Sequence, residues 1–413
     1  RDWLGEGHLA HFISDTVDQL DLAPFLKRYE GRASGKGQKA YHPRMMLKVL
    51  VYSYCVGIFS SRKIMAAMCD LVPLRFLSAG NAPGHRTIAR FREQNLEHFR
   101  SAFVEVVRIA REAGLVTMGT LAVDGSHIKA NASKHKAMSY KRMKQAVKKL
   151  RAEIEKITRM ATQIDAAEDA EFGPDFRGDE LPEELKRRED RLQKIQEAKR
   201  RLEAEQEDED KRTGRGEKGR ELKRPRGVPP DAKQSNFTDP ESRIMSKGGK
   251  SFEQCYNAQS AVDGARRIIV AAEVGTNAAD VGALLPMVDA AQRNTGAKPA
   301  RVLADAGYKS EENLKGLEER GTDGYVALGK GERVPADVDP SKPATLRMAH
   351  KLRTKAGRKR YKQRKGLAEP PFGWVKNVLG FRSFSMRSLA KANGEWNLVC
   401  LAVNLRRMHG MMA

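Results

Sequence analysis

The sequence predicts an α/β protein with a mixed sheet, an all-helical N-terminal region and a long helical insertion. Three observations lead to this prediction. Apolar residues recur at three- and four-residue steps near the N-terminus, short apolar runs alternate with helical patterns from Leu121 onward, and helical spacing fills the stretch between the first two strands.

The N-terminal region carries a pattern of short helices from about Leu20 to Arg111, and Pro43 stands where a helix could begin. A later helix opens at residues 85–92 and carries three arginines, Arg86, Arg90 and Arg92. Short helices separated by turns are typical of a helix-turn-helix, whose second helix enters the major groove of DNA. We therefore expect a helical DNA-binding domain over residues 1–115. The alternative is a helical bundle whose arginines only face solvent.

The first strand is predicted to begin at Leu121, with a short apolar run that ends in the carboxylate of Asp124 and alternating residues that follow to Ala130. The elements expected after it are strands 258–262 and 267–274 around an Asp263-Gly264 hairpin turn, a helix from Asn277 to near Gly296, strand 301–305, helix 310–320, strand 325–328 and a final helix. This order predicts a mixed sheet built from residues 116–139 and 236–413.

The insertion lies between the first and second strands. Apolar residues fall on steps of three and four on both sides of a break rich in Gly, Pro and Asp: Met143, Val147, Leu150, Ile154, Ile157, Ile164, Leu185, Leu192, Ile195 and Leu202. This spacing predicts an antiparallel coiled-coil hairpin over residues 140–206. Residues 207–235 are charged and poor in apolar groups, so we expect a disordered linker there.

The charge balance favours a polyanionic partner. The 413 residues include 76 Lys and Arg against 53 Asp and Glu, a formal net charge of +23. Neutralising phosphates releases their counterions, so nucleic acid is the first candidate and an anionic membrane surface the second. The sequence has no apolar run of a membrane span and no signal-peptide pattern at its start, so we expect a cytoplasmic, nucleoid-associated protein. Its four cysteines form no C-x-x-C pair, which argues against disulfides and zinc.

Three acids are candidates for catalysis. Asp124 and Asp305 each close an apolar strand, where an ionised carboxylate is costly unless it binds a cation or several donors. Singly, each is more often a turn residue, but a third acid, Glu369, follows on a late helix. Carboxylates can hold two hard divalent cations for phosphodiester chemistry, one at the attacking and one at the leaving oxygen. We therefore predict Asp124, Asp305 and Glu369 as catalytic metal ligands.

The surroundings of Glu369 suggest a phosphate anchor. Pro370 is tolerated in a first helical turn, so a helix is predicted to begin at Glu369 or just before it, with Lys376 on the same face. Residues 347–365 contain ten Lys or Arg and no acid. This segment is either a solvated basic linker or a stretch that tracks phosphates. Trp374 could stack on a base, although a core position is the stronger expectation.

At these residues the chain resembles bacterial insertion-sequence transposases of the 1182 type, within the IS4/IS5-like superfamily of DDE transposases. The resemblance covers nearly the whole chain, through residues 41–48, 57–64, 85–92, 123–126, 256–263, 304–308, 369–376 and 394–405. It implies an RNase H-like catalytic domain, two Mg²⁺ ions with Mn²⁺ as a possible substitute, and DNA hydrolysis followed by transfer of a 3′-hydroxyl. It also implies double-stranded DNA partners, the terminal inverted repeats and the target. A homodimer is expected because two ends must be cut together, and the coiled coil is its candidate interface.

The expected DNA-binding residues are Lys376, Arg364, Arg86, Arg90 and Arg92. Two positions depart from the family pattern: the segment from Tyr361 to Arg364 stands four residues before Glu369 instead of three, and Gly84 replaces the usual Asp before the arginine-bearing helix. Two alternatives remain open at this point. One is a domesticated transposase that only binds DNA, and the other is an RNase H-like repair nuclease without strand transfer.

Overall fold

The chain divides into two compact units. The structure, a computed structural model, describes residues 3–30, 40–172, 183–214, 224–247, 251–329 and 334–412. The first unit comprises Arg1–Asn131, Met245–Ser251 and Cys255–Ala413, and the second comprises Ala132–Ile244 and Phe252–Gln254. The predicted break between the helices of the insertion, residues 173–182, lies outside the described residues.

The helices of the chain are α1 (Leu9–Gln19), α2 (Ala23–Glu30), α3 (Pro43–Cys55), α4 (Ser61–Asp70), α5 (Val72–Leu77), α6 (His85–Gln94), α7 (Leu96–Glu112), α8 (Tyr140–Phe172), α9 (Glu183–Arg212), α10 (Leu284–Thr295), α11 (Glu311–Glu319), α12 (Pro343–Arg353), α13 (Lys355–Gly373) and α14 (Leu389–Met412). The strands are β1 (Leu121–Lys129), β2 (Ala137–Ser139), β3 (Gln234–Asn236), β4 (Arg243–Ser246), β5 (Phe252–Asp263), β6 (Ile269–Gly275), β7 (Arg301–Ala304) and β8 (Asp323–Val326).

The main sheet is mixed, as predicted. Strands β6, β5 and β1 pair antiparallel, and β1, β7 and β8 pair parallel. The resulting order is β6-β5-β1-β7-β8, with β4 also beside β5. This order is consistent with an RNase H-like domain. Because β1 and β7 are parallel neighbours, residues that follow them in the chain emerge at the same edge of the sheet.

Local signals explain most element boundaries. Ser310 caps α11 by accepting a hydrogen bond from the Asn313 N–H, and Gly296 ends α10 with a left-handed φ of 65°. The β5–β6 hairpin is present, but its loop extends to Ile268, whose carbonyl accepts from the Asp263 N–H at 2.9 Å. Helix α10 begins later than predicted, because residues 277–280 form a loop after β6.

The late basic segment folds differently from the prediction. Helix α13 begins at Lys355, where the Thr354 hydroxyl accepts from the Gly357 N–H at 2.9 Å, and it continues through Pro370 and Pro371. The prediction that a helix begins at Glu369 is therefore wrong. Since a proline removes one backbone donor and crowds the previous turn, the helix changes to a π-helical turn at Trp374–Val378.

The N-terminal helices belong to the same unit as the sheet. Helix α14 is buried on nearly all sides and packs against α3, α7 and β6. The Glu395 carboxylate of α14 accepts from the Tyr54 hydroxyl at 3.1 Å, and that hydroxyl also accepts from Arg92 at 3.0 Å. Residues 1–115 thus pack against elements of the same unit, and their boundary as a separate DNA-binding domain remains a prediction.

The second unit contains two long helices and a short ribbon. Helices α8 and α9 pack through buried apolar residues: Tyr140, Met143, Leu150, Ile195, Ala198 and Leu202. Strands β2 and β3 pair antiparallel next to them in the chain. The expected disorder over residues 207–235 does not match the described part, because α9 continues to Arg212 and Asp210 is buried, accepting from the Gly227 N–H at 2.9 Å. Residues 215–223 of that segment lie outside the described residues.

Candidate active site

Asp124 and Asp305 are brought together by the pairing of β1 with β7. Leu121 pairs with Val302 and Ala122 with Leu303. Continuing this register places Asp124 beside Asp305, which directly follows β7. The Asp305 carboxylate accepts from the Gly307 N–H at 2.8 Å and so caps the turn that follows the strand. Asp124 is thus level with the end of β7, but it lies inside β1, which continues to Lys129, so the expectation that Asp124 closes its strand is wrong.

Glu369 reaches the same place from α13 through Arg364. The Arg364 Nη1 lies 3.7 Å from Asp124 Oδ2, and its Nη2 lies 3.3 Å from Glu369 Oε1. The Arg364 side chain is 10% exposed, whereas that of Glu369 is 56% exposed. Arg364 thus stands between two of the three predicted acids, and the cluster opens to solvent on the side of Glu369. Because both carboxylates contact the Arg364 guanidinium, this group is not freely exposed to DNA.

The electrostatics of Asp124 show a shortage of positive charge. Burial raises its pKa from 3.8 to about 6, and the carboxylates of Asp305 and Asp280 add to that effect. Arg364 and the hydrogen bond from the Gly125 N–H oppose it. A carboxyl group whose pKa is raised in this way gains free energy from an additional cation nearby.

Asp280 is a fourth acid at the site, and the sequence interpretation missed it. Its Oδ1 accepts from Asn257 Nδ2 and from Gln259 Nε2, each at 2.7 Å. Gln259 Oε1 in turn accepts from the Tyr308 hydroxyl at 2.5 Å. The sequence pattern placed Asp280 inside a helix that follows Asn277. A position in a predicted helix gives no indication that the residue lies in a loop and contacts the sheet.

Two glycines allow this close approach. A Cβ atom at Gly125 would lie 2.2 Å from Gln259 Nε2 and 2.6 Å from Asp280 Oδ1. A Cβ atom at Gly307 would lie 3.0 Å from Asp305 Oδ1 and 3.1 Å from Asp280 Oδ2. Any larger residue at Gly125 would push the amide and the carboxylate away from β1.

Lys376 contacts strand β1, which carries Asp124. Its ammonium donates to the Ser126 hydroxyl, two residues after Asp124. Burial and the nearby Lys247 lower the pKa of Lys376, and Asp124 opposes this shift. The Lys376 side chain lines an open cavity of about 540 Å³ together with His127, Asn257, Asp280 and Arg382. The cavity is large enough for part of a DNA strand.

The capacity of these acids to hold a metal ion is supported by their chemistry but not by their present spacing. In the ranges that the structure describes, no three His, Cys, Asp or Glu side chains are grouped closely enough to hold one ion together. The Arg364 guanidinium engages oxygens of Asp124 and Glu369 that such an ion would need. The donor set itself suits a hard divalent ion, because it consists of carboxylates and Asp124 lacks positive charge.

The predicted DNA-binding arginines of α6 separate into two groups. Arg86 and Arg90 are exposed on one helix face, one turn apart. Arg92 is only 7% exposed, and it donates to the Tyr54 hydroxyl at 3.0 Å and to the Phe59 carbonyl at 2.7 Å. The prediction of a DNA contact for Arg92 is therefore wrong, because its guanidinium is used inside the protein. Gly84, as expected, provides no side-chain cap to this helix.

Part of the basic run at residues 347–365 is engaged in ion pairs. Arg347 contacts Glu318 at 2.5 Å, and Lys351 and Arg360 both contact Asp323. The exposed Arg358, Lys359 and Lys365 remain on the surface of α13. The segment is helical, and only part of its charge is directed to solvent. Both expectations for this segment, a solvated basic linker and a stretch that tracks phosphates, therefore remain predictions.

The two tryptophans near the site have different environments. Trp396 is 1% exposed, donates to the Gln259 carbonyl at 2.9 Å and stacks on Phe372. Trp374 is 38% exposed, so the expectation of a core position is wrong for this residue. Tyr361 is buried and hydrogen-bonds Arg364, which positions that guanidinium despite the altered spacing to Glu369.

Within the described ranges, the helices are too short or too polar to cross a membrane. Comparison with known families gives two matches. Residues 187–405, more than half of the 413, match the Transposase DDE domain, and residues 1–94 match the Transposase domain (DUF772). Searches of curated proteins and of solved structures gave no match.

The longer match includes Asp305, Glu369 and Lys376 but begins after Asp124, which the pairing of β1 with β7 connects to them. The pair of matches fits the 1182 type that the sequence resembles, so the predicted family is confirmed. The matched domain implies DNA binding, nuclease or transposition activity and the use of divalent metal ions. With more than half of its length matched, this chain belongs to the insertion-sequence transposases that carry a DDE domain.

Proposed function

We propose that this transposase cuts DNA at the ends of its element and joins the freed 3′-hydroxyl to target DNA. One observation carries the proposal. Residues of three separate elements meet around one guanidinium, with Asp124 and Glu369 on Arg364 and Asp305 beside Asp124. Since these residues lie far apart in the sequence, their meeting is a property of the folded chain.

Each proposed step conserves its bonds. In cleavage, a water oxygen attacks the phosphorus, the bond to the 3′-oxygen breaks and a 3′-hydroxyl leaves. In joining, that 3′-hydroxyl attacks a target phosphodiester, and the target's own 3′-oxygen leaves with a proton. Lys376, held by Ser126, would bind a phosphate oxygen beside the acids. Asp280 would hold the side chains of Asn257 and Gln259 in place through the hydrogen bonds that it accepts from them.

Asp124, Asp305 and Glu369 would hold two Mg²⁺ ions, with Mn²⁺ as a substitute. When bound, such ions supply charge that activates the attacking oxygen and stabilises the leaving one. Asp124 supports this assignment, because burial raises its pKa to about 6 although Arg364 is nearby, so its ionised form would be stabilised by a further cation. Arg364 partly supplies that charge through its contacts with two of the acids.

The terminal inverted repeats would be recognised by the N-terminal helices. Arg86 and Arg90 are exposed on α6 and can contact phosphates or base edges, whereas Arg92 cannot. Two ends must be cut together, so we propose a homodimer, with the paired helices α8 and α9 as the candidate interface. The apolar seam between these two helices supports a stiff structure suited to that role.

The decisive experiment uses Asp305→Asn on the full chain with labelled DNA that carries the element end. Cleavage in Mg²⁺ should fall by roughly 1,000-fold or more, because an amide is a poor ligand for a hard cation. DNA binding should stay unchanged. The matched control is Asp289→Asn, which makes the same change in an acid of α10 that pairs with Arg320 at 2.8 Å. Retained cleavage in Asp305→Asn would remove the residue from the proposed chemistry.

A second measurement addresses the metal without relying on activity. Mg²⁺ or Mn²⁺ should raise the melting temperature of the wild type, since a ligand that binds only the folded state stabilises it. Asp124→Asn and Asp305→Asn should lose this response, and Asp289→Asn should keep it. If the wild type binds end DNA but shows neither a metal response nor cleavage, the alternative of a DNA-binding protein without catalysis is favoured. Cleavage without joining of the 3′-end would instead favour the repair nuclease.

A further inference from the structure

A second cavity in the first unit lies beside the prolines that follow Glu369. It has a volume of about 600 Å³ and is lined by Pro370, Trp374, Tyr52, Arg267, Arg406 and Arg407, among others. None of these side chains has a role in the proposed cleavage. We name it the Trp374 cavity. Its size suits one small ligand and is too small for a DNA duplex.

The charge of this lining is positive. Arg267, Arg406 and Arg407 line the cavity, and no Asp or Glu is among the described residues that line it. Burial and the neighbouring Arg267 both lower the pKa of Arg407. Because arginines keep their charge, this arrangement stores repulsion that a bound anion would relieve. Phosphate is the anion whose geometry suits arginine donors best.

An exposed aromatic ring stands next to these cations. Trp374 is 38% exposed and belongs to the π-helical turn, a type of irregularity that often marks a functional site. The Arg406 guanidinium lies 5.5 Å from the centre of its ring. Phe372 stacks on Trp396 in the core, whereas Trp374 remains partly exposed. A partly open indole beside arginines is suited to stacking on a base whose phosphate the arginines hold.

We propose that the Trp374 cavity binds an unpaired nucleotide of a DNA strand, with the base on Trp374 and the phosphate on Arg267 and Arg407. The inference rests on the proposed function, which brings a DNA strand to Glu369, and Pro370 of the cavity directly follows that acid. The base must be unpaired, because only an unstacked base offers its face to the indole. The cavity thereby holds a strand against the helix that carries Glu369, without reading its sequence.

The experiment measures binding of a fluorescein-labelled thymidine oligonucleotide of about eight bases to the full chain in EDTA, by anisotropy. Trp374→Ala should weaken binding about 10-fold, and Trp374→Tyr should retain most of it because the ring is kept. Arg267→Gln should weaken binding and reduce its salt dependence. The matched control is Arg266→Gln, which removes the same charge from the exposed neighbour that does not line the cavity. It should have a clearly smaller effect.

Wild-type binding by both Trp374→Ala and Arg267→Gln would overturn the proposal. Binding of free thymidine monophosphate without binding of the oligonucleotide would also overturn it. If Trp374→Ala melts at a lower temperature than the wild type, Trp374→Tyr and Arg267→Gln decide the question. The assay contains no metal and no cleavage step. If Asp305→Asn loses no cleavage but the cavity variants bind the oligonucleotide more weakly, the proposed function fails and this inference does not. If Asp305→Asn loses cleavage but the cavity variants bind like the wild type, this inference fails and the proposed function does not.

Discussion

Two clusters in the first unit combine a mostly buried arginine with one or more carboxylates, and they differ in how fully the carboxylates are hydrogen-bonded. The closed cluster consists of Tyr54, Arg92, Ser385 and Glu395. The open cluster consists of Asp124, Asp305, Arg364 and Glu369. In the closed cluster, the fully buried Glu395 accepts from the Ser385 N–H at 2.8 Å, the Ser385 hydroxyl at 2.5 Å and the Tyr54 hydroxyl at 3.1 Å.

The open cluster leaves its acids short of partners. Arg364 contacts Asp124 at 3.7 Å and Glu369 at 3.3 Å, both longer than an ideal charge-assisted hydrogen bond. The pKa of Asp124 rises to about 6, and more than half of the Glu369 side chain is exposed. In both clusters burial lowers the pKa of the arginine and neighbouring groups more than offset it, so the pKa of Arg92 and that of Arg364 are both raised. The clusters differ in their carboxylates: one with three donors stabilises a fold, whereas one short of donors can bind a further cation.

The largest expected effect separates the two arginines by stability. Arg92→Met should lower the free energy of unfolding by about 3–5 kcal/mol, because the Tyr54 hydroxyl and the Phe59 carbonyl lose their donor and the buried Glu395 loses a nearby positive charge. Arg364→Met should cost only about 1–2 kcal/mol, since Asp124 can take up a proton and Glu369 faces solvent. Urea denaturation at pH 7 measures both values. Equal losses would contradict the distinction between a closed and an open cluster.

A smaller effect tests the open cluster by pH. The pKa of Asp124 is raised in the folded state, from 3.8 to about 6, so the folded chain binds the proton more tightly than the unfolded chain. Protonated Asp124 therefore contributes to the free energy of unfolding below pH 4. This contribution, up to about 3 kcal/mol, is lost as the pH rises through 6. Asp124→Asn should therefore be more stable than the wild type at pH 8 and nearly equal at pH 4, measured by urea denaturation in EDTA.

The opposite sign would show that Asp124 is stabilised as a carboxylate by Arg364. A matched comparison is Asp289→Asn, whose acid has a pKa lowered first of all by its hydrogen bonds with Arg320. That substitution should destabilise the chain slightly at pH 8. The two aspartates thus give opposite pH responses in the same unit.

The smallest effect concerns the acid that supports the open cluster. Asp280→Asn should reduce cleavage of end DNA about 10-fold, because the amides of Asn257 and Gln259 lose a charged acceptor. Gel-based cleavage at saturating DNA measures this change. Binding of end DNA should remain at the wild-type level, as should cleavage by Asp289→Asn. Unchanged cleavage in Asp280→Asn would restrict this acid to holding the loop after β6.

The sequence by itself determined the family and the strands that carry or precede the aspartates, but not the short strands β2, β3 and β4. Leu121, Ala122 and Val123 form an apolar run before Asp124, and Val302 to Ala304 do the same before Asp305. Such runs are local signals, because a buried strand needs consecutive apolar residues and a carboxylate ends the burial. Glu369 was found from its neighbours in the chain, and the match to the transposase domain agrees with the resemblance.

The tertiary structure alone decided which charges face each other. Arg364 contacts Asp124, which lies 240 positions earlier in the chain. Arg92 donates to the buried Tyr54, although Arg86 and Arg90 of the same helix are exposed to solvent. Asp280 joins the site from a loop that helical spacing could not distinguish from a helix. Local patterns describe whether a residue is buried, but not which distant group it is buried against. That choice depends on the packing of elements remote in the chain, since electrostatic contacts act through space.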